Sequence, residues 1–127
     1  MSNSNLTTQE RPNAVDGSTY KVKVPNHSQE LINVYITVND IENKPFEVFI
    51  NCSDSQLYEW FSLSMVLISR LLRIDVPIED IITDLHSIHS AQGSHIVPGK
   101  GMSPSLASRI GDVLQLHIDK KSSDKNE

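Results

Sequence analysis

The residues able to do chemistry in this chain are few and scattered. His86 and His89 stand three apart, which puts two imidazoles on one face of a helix, and His95 follows in the next loop. Zinc would need a third or fourth ligand, and only Asp84 and the distant His117 are on offer. The simpler expectation places His86 beside the core and His89 in solvent. Gly99-Lys100-Gly101-Met102-Ser103 precedes a helix start, where backbone N–H groups, with Lys100 as counter-charge, could hold an anion or a nucleotide phosphate. It is not a P-loop, because Lys100 is followed by Gly101 rather than Ser or Thr. An ordinary glycine-rich turn accounts for it equally well. Cys52 lies between a strand and a helix N-terminus, a position that lowers a thiol pKa, but no histidine adjoins it in sequence. A small packed residue is its simpler role. Glu79, Asp80 and Asp84 fall in the first turns of a helix, where acids complement the dipole. No nucleophile–base pair can be assembled, so no cofactor is expected and catalysis by this chain alone is not.

The elements that must position these residues fit one domain. The chain has 127 residues. Residues 1–14 are Ser/Asn/Thr/Gln-rich without apolar period and 119–127 are charged, so both read as disordered tails around a domain at 15–118. A formal charge of −5 and a pI near 5.4 argue against binding nucleic acid, which needs a basic stripe. One cysteine excludes an internal disulfide and any Cys-x-x-Cys site. The N-terminus has no basic start or apolar core, and no apolar run approaches a membrane span, so a cytoplasmic location away from membranes is expected.

Three segments alternate apolar and polar residues: Tyr20–Val24, Ile32–Val38 and Phe46–Ile50. Period two means half-buried strands. A hairpin register placing Val24 opposite Ile32, Val22 opposite Val34 and Tyr20 opposite Ile36 buries apolar against apolar. The second hairpin is expected to pair Ile36 with Val48 and Val38 with Phe46. That register lines Lys21, Tyr35 and Phe49 in one row on the opposite face, beside Thr19, Thr37 and Glu47. Two aromatics and a cation facing away from the core can be plain cross-strand pairing or a docking hot spot.

The helices follow. Ser53 and Gln56 form a capping box, and a helix then runs through Leu57, Trp60, Phe61, Ser64, Leu67, Ile68, Leu71 and Leu72, with Leu63, Met65 and Val66 widening the buried stripe. Pro77 suits the first turn of a second helix carrying Ile78, Ile81, Ile82, Leu85 and Ile88. Residues 90–102 read as a loop. Ser103 as N-cap and Pro104 as first helical residue start a last helix, which buries Leu106, Ile110, Val113, Leu114 and His117. Gly111 within it points to close approach of another backbone. Three strands then three helices give an α+β fold: a three-stranded antiparallel meander with the helices packed on one face.

Arg11-Pro12, Gly17 through Lys23, Tyr35 through Asp40 and Pro45 through Asn51 together resemble the TSCPD-type C-terminal domain of adenosylcobalamin-dependent (class II) ribonucleotide reductases. Ser105 through His117 is similar to its closing helix. The resemblance spans roughly residues 11–118 and rests on several short motifs in order. In the full reductase the catalytic cysteines and the cobalamin site belong to a large barrel domain with no counterpart here, and no residue of this chain matches a catalytic one. The resemblance therefore implies a stand-alone accessory or regulatory module. Its partner would be a protein, the reductase large chain in the first instance, bound through Lys21, Tyr35 and Phe49. Two other readings stay open: a nucleotide or small-anion sensor using Gly99, Lys100, Gly101 and Ser103, and a phage-type interaction protein or inhibitor reusing the scaffold. The exposed aromatic row could equally pair with a second copy as a homo-oligomer.

Overall fold

A computed structural model describes residues 10–90, 93–97 and 101–125 of the chain. Strands β1 (Asp16–Pro25), β2 (Leu31–Ile41) and β3 (Lys44–Cys52) form an antiparallel meander in the order β1-β2-β3. Helices α1 (Ser55–Arg73) and α2 (Ile78–His86) come next, then a small hairpin of β4 (His95–Val97) and β5 (Gly101–Ser103), and finally α3 (Leu106–Lys125). The α+β architecture is the expected one. The β4–β5 hairpin falls where a loop was expected, because two three-residue strands carry no readable alternation.

The inner sheet face sets the core. Val24, Val34, Ile36, Val38, Val48 and Ile50 pack against Phe61, Ile68 and Leu72 of α1, Ile81 and Ile82 of α2, and Ile110, Val113 and Leu114 of α3. The first hairpin has the expected register: Val24 opposite Ile32, Val22 opposite Val34, Tyr20 opposite Ile36. Asn26 holds its loop by accepting from the N–H groups of Ser28 and Glu30. The second hairpin corrects the expectation by two residues, pairing Ile36 with Ile50 and Val38 with Val48. Its turn is Glu42-Asn43, both left-handed (φ 54° and 65°), so Ile41 faces Lys44. An irregularity at Asn39/Asp40 then shifts the register, and Phe46 and Glu47 both become buried. Facing is preserved because the shift is even.

Helix α1 lies along the β3 edge. The Val48 N–H donates to Ser69 Oγ at 3.0 Å, the Ser69 hydroxyl donates to the Val48 carbonyl at 3.2 Å, and the Ile50 N–H points at Met65 Sδ at 3.2 Å. Backbone groups that would tempt another strand are thereby occupied. The N-cap is Asp54, not Ser53: its carboxylate accepts from the Leu57 N–H at 3.0 Å. At the other end Asp75 takes φ 64°, with Val76 N–H bonded to the Leu71 carbonyl and Asp75 N–H to that of Leu72, a Schellman closure. The buried stripe of α1 is narrower than expected. Trp60, Leu63, Val66, Leu67 and Leu71 are exposed, because they lie on the side turned away from sheet and core.

Pro77 is the N-cap of α2 rather than its first residue, and Ile88 is exposed beyond the helix end. α3 opens two residues later than Ser103 implies. Ser105 accepts from the Ser108 N–H at 3.0 Å, while Ser103 is buried and donates to the Ser105 carbonyl. Ile110, Val113, Leu114 and His117 are buried as expected, and Leu106 is half-buried. Gly111 meets a side chain, not a backbone: a Cβ there would sit 2.8 Å from the His86 ring. α3 continues through Lys125, held by an ion pair from Lys121 to Asp40, and Arg11 of the N-terminal segment is drawn onto Glu47.

Candidate functional site

The outer sheet face carries the residues singled out for docking. Odd-numbered positions of β1, β2 and β3 point there, and no described helix covers them. Lys21 stands opposite Tyr35, as expected. Phe49 does not continue that row. It faces Thr37, while Asn51 faces Tyr35, so Phe49 is diagonal to Tyr35. The two-residue register correction is the cause. Diagonal neighbours remain within reach of aromatic side chains. Tyr35 is 42% exposed and Phe49 48%, so neither ring enters the core. Thr19 and Thr37 exchange a hydroxyl hydrogen bond at 2.8 Å between them. A shallow concavity of about 560 Å³ opens beside Tyr35, lined by Lys23, Leu31, Asn33, Asn51 and Ser53 among others. Leu31 adds a further exposed apolar residue to its rim. The face thus offers apolar rings bordered by lysine ammonium groups, amides and hydroxyls, chemistry suited to contact rather than to bond-making.

One end of this face is closed by charge. Glu47 points outward opposite Asn39, yet is fully buried. Arg11 Nε reaches both of its oxygens at 2.9 and 3.0 Å, Arg73 Nη2 donates at 3.0 Å, and Asn39 Nδ2 at 2.9 Å. Burial alone would raise the carboxyl pKa, but these hydrogen bonds and the arginine charges outweigh it and hold it below the usual range. The Arg73 guanidinium also stacks 4.9 Å from the Phe46 ring centre. Strand alternation alone puts Glu47 on the mixed outer face beside Thr19 and Thr37. A carboxylate between Phe46 and Val48 is the available signal, but its arginine partners lie 36 and 26 residues away.

A second buried polar group ties α3 to the sheet. The Tyr20 hydroxyl lies 2.6 Å from His117 Nδ1, and His117 Nε2 lies 3.0 Å from both Asp40 oxygens. A carboxylate only accepts, so Nε2 carries the proton of the His117–Asp40 bond. Lys121 Nζ completes the set at 3.0 Å from Asp40. Burial would push the Asp40 carboxyl up. The hydrogen bonds from His117 and Lys121 and their charges prevail and hold it low. This chain of groups joins β1, β2 and α3.

The other candidates are dispersed. His86 Nε2 pairs with Asp112 at 3.0 Å, His89 contacts the Ser87 carbonyl, and His95 sits in β4 with its Nε2 buried and unpartnered among the described residues. Burial and the Arg109 charge push the His95 imidazole pKa down. No group of three or more His, Cys, Asp or Glu able to hold a metal occurs among the described residues. Cys52 corrects its expectation: burial raises its thiol pKa, and Sγ donates to the Asp54 carbonyl at 3.6 Å. Of the glycine-rich loop, Gly99 and Lys100 lie outside the described residues. Gly101 has φ 95°, and the Ser103 hydroxyl is turned inward. No described helix is long and apolar enough to cross a membrane.

A three-stranded antiparallel sheet with its helices on one side and at one edge, and an open outer face, is the frame in which family membership can be read. A family model for the TSCPD domain matches residues 7–118, nearly the whole chain. The chain belongs to the TSCPD-domain family, which links it to ribonucleotide reductase-type domains. No curated protein and no solved structure matches it.

Proposed function

We propose that this chain is a non-catalytic accessory or regulatory module of ribonucleotide reduction that docks a protein partner through its outer sheet face. The reading rests on one observation: Tyr35 and Phe49 stay about half exposed on a sheet face that no described helix covers, while the opposite face is sealed. Aromatic rings at the centre of a surface, bordered by polar groups, are the usual anchors of an interface. Lys21 and Lys23 flank them and favour an acidic surface on the partner. The family link supports the large chain of an adenosylcobalamin-dependent reductase as that partner.

Titration calorimetry of the chain against that large chain tests it. Tyr35→Ala with Phe49→Ala is expected to weaken binding about tenfold or more, with the melting temperature nearly unchanged. Equal binding by the variant, or no binding by the native chain, overturns the proposal.

A further inference from the structure

The side of α1 turned away from the core carries a stripe with no partner among the described residues. Trp60 is 69% exposed, Leu63 53%, Val66 63% and Leu67 54%, and Leu71 extends the stripe at 37%. Steps of three and four along the helix put Trp60, Leu63, Leu67 and Leu71 on one line. An exposed apolar stripe of this length on a surface helix marks an interaction site. It is distinct from Tyr35 and Lys21, which lie on the sheet.

We propose that this stripe pairs with the same stripe of a second copy, the two α1 helices running antiparallel across a two-fold axis at the level of residue 65. The pattern is self-complementary about that level. Reversing one helix sets Leu63 against Leu67 of the other copy, and Trp60 against its Arg70–Leu71 turn. The charges obey the same symmetry. Glu59 lies at the N-terminal end of the stripe and Arg70 at the C-terminal end, both exposed and with no side-chain partner among the described residues. Antiparallel pairing brings Glu59 of one copy to Arg70 of the other, twice. Parallel pairing would leave each Glu59 level with its counterpart and the full length of the stripe away from Arg70, so neither charge would meet its opposite. A two-fold interface requires a patch complementary to itself, and this one is. Five exposed apolar side chains with a charged margin have the make-up of an ordinary specific interface, an apolar centre and a polar rim.

Sedimentation equilibrium of the full chain, from micromolar to millimolar, provides the test. The expected mass at the upper end is twice 14.2 kDa. Leu63→Glu is expected to return it to monomer with its circular dichroism unchanged, since that side chain is exposed in the fold. Glu59→Arg and Arg70→Glu are each expected to weaken association several-fold, and the two together to restore it. Tyr35→Ala with Lys21→Ala leaves the dimer intact; Phe49 is spared because it shares a groove with Val66 and Arg70. A native chain that stays monomeric throughout overturns the proposal. So does a doubly charge-reversed chain that fails to regain the dimer, or a dimer lost on the sheet-face substitutions.

Discussion

The Ser69 hydroxyl bonds to both the N–H and the carbonyl of Val48, standing in for the strand that β3 lacks on that side. One side chain of a helix thereby does the pairing that a fourth strand would do. Met65 repeats the pattern more weakly at Ile50.

Removing that hydroxyl leaves both Val48 groups buried without a partner. Ser69→Ala is expected to cost about 1–3 kcal/mol, because an unsatisfied buried group bears its full desolvation penalty. Urea unfolding measures the loss. Hydrogen exchange at the Val48 amide is expected to accelerate more than at Val38, whose strand lies between its two neighbours.

Glu47 and Asp40 give the protein an acid limb. Both carboxyls are held lower in the fold than in the unfolded chain. Their stabilisation is therefore fully present above the unfolded carboxylate pKa of about 4 and is lost as pH falls through the lower folded values. Glu47→Gln is expected to cost about 1–3 kcal/mol at neutral pH, since it takes the charge out of the hydrogen bonds from Asn39, Arg11 and Arg73, while the partly exposed guanidinium groups keep some of their water. The gap in melting temperature between native chain and variant is expected to close as thermal melts are taken from about pH 7 to about pH 3.

Gly111 and His86 form a testable pair. Alanine in a helix gains about 1 kcal/mol over glycine, but here its Cβ would press on the imidazole that Asp112 holds in place. Gly111→Ala is expected to destabilise the native chain. In a His86→Ala background the same change is expected to be neutral or stabilising, which a double-mutant cycle by chemical denaturation would show.

Asp75 closes α1 in a left-handed conformation that favours glycine. Its carboxylate reaches Lys44 at 2.8 Å, but both side chains are mostly exposed, so that pair contributes little. Asp75→Gly is therefore expected to raise stability by a few tenths to about 1 kcal/mol, read as a higher denaturant midpoint.

Much of this architecture was legible because alternation is a local property. Tyr20, Val22 and Val24 announce their strand, and their match to Ile32, Val34 and Ile36 fixes the first hairpin. The second register was not legible. It hangs on Glu42 and Asn43 both adopting positive φ, without the glycine that usually advertises such a turn. α1 misled for another reason. It is apolar on two sides, and periodicity locates stripes without saying which is buried, so Trp60 and Leu67 looked as internal as Phe61 and Ile68. The docking residues Lys21, Tyr35 and Phe49 were readable as a face, though not as a straight row. The enclosure of Glu47 was beyond local pattern, since its arginines come from the N-terminal segment and the far end of α1.

Trp60 is the sole tryptophan of the chain and stands largely in water on α1. The protein's intrinsic ultraviolet emission therefore reports little about whether the polypeptide is folded, because that indole is wet in either state. It reports instead whether something has been laid over the helix: a shift of the emission maximum toward the blue, with quenchers losing access, marks coverage of α1 and needs no added label.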